Sequence, residues 1–447
     1  MRILKKLNTD VSVENTNRTL QSVTDDEGYL YSGLLFSDSP AIDAFGRLRI
    51  SNPFTLFDSK QIFKDPDLND NEENFPLFFD NQEVSGTGSA TLFNINTAST
   101  TLRVSNVTAS NRIRQTKMRF NYQPGKSIIT FYTFFLSSAL TSGITRRIGY
   151  FDDNNGLFFE DDGETYNFVK RSYITGSPVD TKIPQSKWNI DTFDGNGSSG
   201  ITLDFTKVQI LIIDFEWLGV GRVRFGFMIG GVIKYAHELL HVNNQSNVYM
   251  STPNLPIRTQ IINSGSGEAS SISQICASII SEGGTDDLGV IRYASTGGNH
   301  VLAADTNIIY ALIGIRLKSN YISNIIKVLS TYTQIHTASS KVEWMLKFNP
   351  QVAGDFNYID LPHSAIQFAT GSVLNTVTGG YNFAGGFTES GGQPAGAAGS
   401  VGKEVGNAIR LGTTIEGVKD TLVLCVRPIH FSTDVYSEGA ITWRELS

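Results

Sequence analysis

Residues 208–240 read VQILIIDFEWLGVGRVRFGFMIGGVIKYAHELL, and the spacing of apolar positions within them decides the fold class. Val208 to Trp217 is nearly continuous apolar sequence, as expected of a strand covered on both faces. Val223, Phe225, Phe227 and Ile229 then alternate with Arg222, Arg224, Gly226 and Met228, a period of two that sends successive side chains to opposite faces. Gly230-Gly231 supplies the two left-handed positions of a tight hairpin, and Val232 to Leu240 runs back.

The same reading extends outward. Ile128 to Leu136 is an aromatic and β-branched run, and Asn155-Gly156 and Asp162-Gly163 mark two further hairpin turns. Many strands at short spacing with such turns predict a sandwich or jelly roll over residues 81–285. Ser271 to Ile280 has some helical spacing, but its β-branched content favours strand. Residues 286–447 resume the pattern in Ile308 to Leu317, Ile325 to Ile335, Val342 to Phe348 and Leu422 to Ile429, predicting a second β-sandwich. Within it, Gly379 to Gly402 is rich in Gly, Ala and Ser and reads as a long surface loop. Residues 1–80 carry no sustained period and close on the acidic, turn-rich stretch Asp65 to Asn74. They read as an extended N-terminal arm with short strands.

At 447 residues the chain exceeds one ordinary core, so two domains and an appendage are expected. Charged residues are 18% of the chain, below the roughly 25% of an average protein, and a surface that solvates weakly favours cover by neighbouring subunits. The net charge of −7 argues against nucleic-acid binding, which needs a basic field over a whole face. The basic residues Arg112, Arg114, Lys117 and Arg119 read as decoration on one strand. Cys276 and Cys425 each lie in an apolar stretch and read as small buried hydrophobes of a reducing compartment. Lys5 and Lys6 are followed by no apolar run of signal-peptide length, and no stretch approaches the ~20 apolar residues of a membrane helix. The expectation is a protein made in a cytosol, with no membrane partner.

Three constellations bear on chemistry. His237-Glu238-Leu239-Leu240-His241 spells the HExxH zinc pattern, which works on a helix because residues four apart then share a face. Here it falls on the return strand of the Gly-Gly hairpin, where four residues span ~13 Å, so two partly exposed strand histidines are expected. Asp214 and Glu216, two apart on the most apolar strand, share a face. They resemble the Glu-x-Asp-x-Glu strand of β-glucanases of the lichenase and laminarinase type, but Ile212 stands at the nucleophile position. Retaining hydrolysis needs both carboxylates, so pairing with Arg222 or Arg224 is expected instead. Asp152-Asp153-Asn154-Asn155-Gly156 misplaces the glycine of a calcium loop and reads as a solvated hairpin tip. No catalytic residue, cofactor site or metal site is assigned from the sequence.

Three segments, DAFGRLRISNPFTLFDSK (Asp43 to Lys60), DFEWLGVGRVRFGF (Asp214 to Phe227) and VYMSTPNLPIR (Val248 to Arg258), resemble virion structural proteins of tailed bacteriophages, especially large aquatic phages. The resemblance covers roughly the first 285 residues. It implies an all-β chain with a lectin-like jelly-roll sandwich that serves as a tail, fibre, baseplate or head-decoration subunit. Its place would be the virion, assembled in the host cytoplasm beside other virion proteins. The implied role is non-enzymatic, as a homo-oligomer with a trimer favoured. In the arm, Phe45, Arg47, Leu48, Arg49, Phe54, Leu56 and Phe57 are the expected subunit contacts, with packing along the chain's own domain as the alternative. A second reading is an adhesin for a host surface glycan. Tyr132, Tyr150 and Tyr166 are its candidate contacts, and each can equally belong to the core.

Overall fold

In the computed structural model, the described residues are Lys5–Leu7, Ser22–Thr24, Leu30–Ser32, Asp43, and residues 52–62, 78–286, 288–390, 395–400, 410–430 and 432–446. The protein is all-β, and among the described residues there is no α-helix. The first two sheets form a jelly-roll-like sandwich. One runs in the order Val232–Leu239, Val223–Ile229, Gln209–Phe215, Ser127–Leu136, Ser270–Glu282, Ser99–Val104, Ser89–Asn94, with Phe54–Lys60 also paired to Ser270–Glu282. The other runs Val179–Pro184, Tyr166–Ser172, Gly156–Asp161, Ile144–Phe151, Ile257–Asn263, Ser110–Thr116, Phe79–Gly86.

The hairpin predicted at Gly230-Gly231 is present, with φ of 60° and 78° and Ile229 paired to Val232. Only glycine takes two such angles in succession cheaply. Leu211, Ile213 and Phe215 point into the core, where they meet Phe134, Phe159 and Phe227 from both sheets. Ser270–Glu282 is a strand, as its β-branched content favoured. Two of the four basic residues near 112–119 are not surface decoration. Arg114 is fully buried over the Phe79 ring, and Arg119 pairs with Asp152 at 2.6 Å.

Two further sheets form the second sandwich. The smaller runs Val290–Ser295, Val435–Leu446, Ile325–Ile335, Ala395–Ser400, with Val301–Ala303 also on Val435–Leu446. The larger runs Ile359–Asp360, Ile366–Thr370, Tyr310–Leu317, Thr421–Pro428, Lys341–Phe348, Tyr381–Glu389. A separate core, built on Leu312, Ile326, Leu346, Leu424 and Trp443, fills the space between them.

Two expectations need correction. The segment from Gly379 to Gly402 is not one long loop, because Tyr381–Glu389 pairs with Lys341–Phe348 and Ala395–Ser400 pairs with Ile325–Ile335. Its glycines permit close approach: a Cβ on Gly386 would lie 3.0 Å from Trp344 Nε1. The arm does not run to residue 80 either. Phe54–Lys60 and Phe79–Gly86 are already sheet strands, drawn in because Phe57 buries its ring against Phe79 and Phe120.

Candidate functional site

His237 lies on the Val232–Leu239 strand, and His241 lies just past its end. Both rings are buried rather than partly exposed. His237 Nδ1 accepts the Asn189 backbone N–H at 3.1 Å. His241 Nδ1 donates to the Gly221 carbonyl at 2.7 Å, and its ring stacks on Tyr249 with centroids 4.2 Å apart. The two imidazoles therefore brace different loops. Burial pushes the pKa of each down to about 4, so both stay neutral near pH 7.

Asp214 is fully buried and pairs with Arg224, as expected, while Tyr235 donates its hydroxyl to the same Oδ2 at 2.5 Å. Glu216 uses Oε1 to accept the Arg222 backbone N–H at 3.1 Å, and Arg222 Nη1 lies 3.7 Å from Glu238 Oε2. Ile212, on the same strand face as Asp214, packs with Ile129 and Tyr235. On the face that could present carboxylates to a sugar, Asp214 and Glu216 are thus both engaged, and Ile212 belongs to an apolar cluster. Asp152 is buried, not solvated. Burial alone would raise its pKa, but Arg119 and the Asn154 and Asn155 amides outweigh it and hold the carboxyl below its ordinary value.

Tyr132 and Tyr150 are core residues, not glycan contacts. Both are fully buried, and Tyr150 donates its hydroxyl to the Pro253 carbonyl at 2.9 Å. Tyr166 is half-buried, with ring neighbours Phe159 and Phe205 at 5.8 and 4.4 Å. Of the expected arm contacts, Phe57 is in the core of its own sandwich and Leu56 packs against that core. Phe54 is exposed. Phe45, Arg47, Leu48 and Arg49 lie outside the described residues. Asp43 is tied inward, its carbonyl accepting from Arg222 Nη2 at 3.0 Å.

The surface that stands out was not singled out from the sequence. Along Val435–Leu446, Val435, Ser437, Ile441 and Trp443 point into the core, so Tyr436, Glu438, Ala440, Thr442 and Arg444 point outward. Register carries this face across the sheet: Tyr293 lies opposite Thr442, Ile291 opposite Arg444, Tyr332 opposite Ala440 and Gln334 opposite Glu438. Tyr293, Tyr332, Tyr436 and Ile291 are all exposed, Tyr293 to 69%. His300, His336 and Glu438 share the same face. Period-two alternation is visible here in the sequence, but which phase faces outward depends on the opposing sheet.

Comparison with protein families and with curated proteins finds no match. Among solved structures, this chain is similar to a glycoside hydrolase family protein from Mycobacterium thermorestibile, at 12% identity and a TM-score of 0.34, covering 50% of this chain and 99% of that one. It is similar to a glycosyl hydrolase family 16 protein from Mycobacterium smegmatis, at 8% identity and a TM-score of 0.35, covering 51% and 100%. A legume lectin-like domain from Entamoeba histolytica gives 10% identity and a TM-score of 0.30 over 50% and 96%. Likenesses of this size say nothing about chemistry.

Proposed function

We propose that the chain is a non-enzymatic structural subunit that works through subunit contacts, in the manner of the tailed-phage virion proteins its sequence resembles. The observation that carries this reading is the outward face of the Val290–Ser295, Val435–Leu446 and Ile325–Ile335 strands, with Ile291, Tyr293, Tyr332 and Tyr436 exposed together. Exposed tyrosines on one sheet face, interleaved with Gln334, Glu438, Thr442 and Arg444, offer both apolar area and hydrogen-bonding groups to a partner, a composition found at subunit contacts. A self-complementary contact through such a face gives a two-fold dimer, and a head-to-tail contact gives a ring such as a trimer when its rotation closes. The absence of a nucleophile at Ile212 and the confinement of Asp214 favour a non-catalytic role.

The same tyrosines favour a second reading, an adhesin that stacks sugar rings on exposed aromatic faces, now with Tyr293, Tyr332 and Tyr436 as the contacts. Sedimentation over a concentration series and a glycan array separate the two. Assembly predicts mass that grows with concentration. An adhesin predicts a bound glycan that is lost on Tyr436→Ser. A chain that stays monomeric and binds no glycan overturns both.

A further inference from the structure

His300, His336 and Glu438 come from three separate parts of the chain and meet on the outward face just described. Val301 lies opposite Ser437, which puts His300 level with Glu438 on one side of the Val435–Leu446 strand. On the other side Gln334 lies opposite Glu438, and His336 follows two residues later, its backbone N–H donating to the Tyr436 carbonyl at 2.8 Å. The turn before His300 is pinned to the same strand, the Thr296 N–H donating to the Gly439 carbonyl at 2.9 Å. The backbone thus fixes all three side chains on neighbouring strands and on one side of the sheet.

His300 Nδ1 is 3.1 Å from Glu438 Oε1, and His336 Nε2 is 3.1 Å from Glu438 Oε2. The two rings are 4.2 Å apart at 64°, and one donor atom from each residue lies within 4.8 Å of the others. Tetrahedral donors at ~2.0–2.1 Å from a zinc ion are themselves roughly 3.3–3.4 Å apart, so a small closure of this trio encloses a cation. A plain hydrogen-bonded trio explains the geometry less well. His336 Nε2 is buried yet, despite its distance to Oε2, is not aligned for a hydrogen bond with it and has no other partner. A cation at the centre would take up that lone pair and use both imidazoles and the carboxylate at once.

We propose that His300, His336 and Glu438 form a binding site for one zinc-class divalent cation. Two imidazole nitrogens and one carboxylate oxygen are the borderline donors such ions prefer, whereas calcium and magnesium take mostly oxygen. Three protein ligands leave one position on the solvent side. This site is distinct from the HExxH segment, whose histidines are engaged with Asn189 and Gly221. It stands whether or not the face binds partners.

The test uses the full chain without a histidine tag, stripped with a chelator and dialysed against micromolar zinc, with bound metal read by elemental analysis. The expected result is one zinc per chain and a melting temperature raised by zinc. His336→Ala and Glu438→Gln, both on the outer face, should keep the metal-free melting temperature. They should weaken binding by more than the roughly 10–100-fold that loss of an outer-shell partner costs. His363→Ala, at an exposed histidine, should bind as the parent does. A parent that takes up no stoichiometric zinc, or zinc retained in full by the His336→Ala/Glu438→Gln double variant, overturns the site.

Discussion

Arg224 lies directly opposite Asp214 across the Gln209–Phe215 and Val223–Ile229 strands, and both side chains are fully buried. Removing one partner of such a pair leaves a charge uncompensated away from water, which costs about 3–5 kcal/mol, whereas removing both is often nearly neutral. Arg224→Met should therefore destabilise the protein by about that amount in urea unfolding, and Asp214→Leu/Arg224→Met should recover most of it. A double variant no more stable than the single would mean the pair is not the main interaction of either residue. The pairing also predicts that the protein releases no reducing sugar from β-glucans, since the carboxylate is already held.

Acid sensitivity should trace to His237 and His241. Burial lowers both pKa values to about 4 from an ordinary 6.5. The unfolded chain therefore binds more protons between those values, and stability rises with pH through this window. The contribution is complete above about 6.5, falls as pH drops toward 4, and is constant below. Asparagine can accept from Asn189 at position 237 and donate to Gly221 at position 241. His237→Asn/His241→Asn should thus flatten the slope of urea midpoint against pH in this window relative to the parent protein. An unchanged slope would assign the sensitivity elsewhere.

Phe57 and Phe54 sit three residues apart on one strand but have different surroundings. Phe57 meets Phe78, Phe79 and Phe120 in the core, and Phe54 is exposed. Phe57→Ala should cost about 3–5 kcal/mol, and Phe54→Ala should stay within about 0.5 kcal/mol. Thermal unfolding of the two variants measures the difference. Equal effects would return Phe57 to the arm.

Local signals made much of the fold legible. Gly230-Gly231 dictates a hairpin, and the apolar run at 208–217 dictates a strand covered on both faces. The partner of Asp214 was legible only as Arg222 or Arg224, because residues 216–222 join the two strands and their length leaves the register open. What local pattern does not encode is the phase of each strand against the second sheet. Tyr132 and Tyr150 alternate as either exposed or core residues would, and only the opposing sheet puts them inside. The glycines at 385 and 386 have the composition of a loop, although their role is to let a strand cross Trp344. His300, His336 and Glu438 carry no spacing motif, since their proximity exists only through the two registers on the Val435–Leu446 strand.

The outward face carrying Ile291, Tyr293, Tyr332 and Tyr436 is proposed to join copies of this chain. Sedimentation equilibrium of the parent protein beside Tyr293→Ser/Tyr436→Ser probes this contact, because both side chains lie outside the core cluster beneath. Expected are a parent that self-associates with rising concentration and a variant of unchanged melting temperature that remains closer to the single-chain mass. A parent that stays a monomer throughout, or a variant that assembles as the parent does, would contradict it.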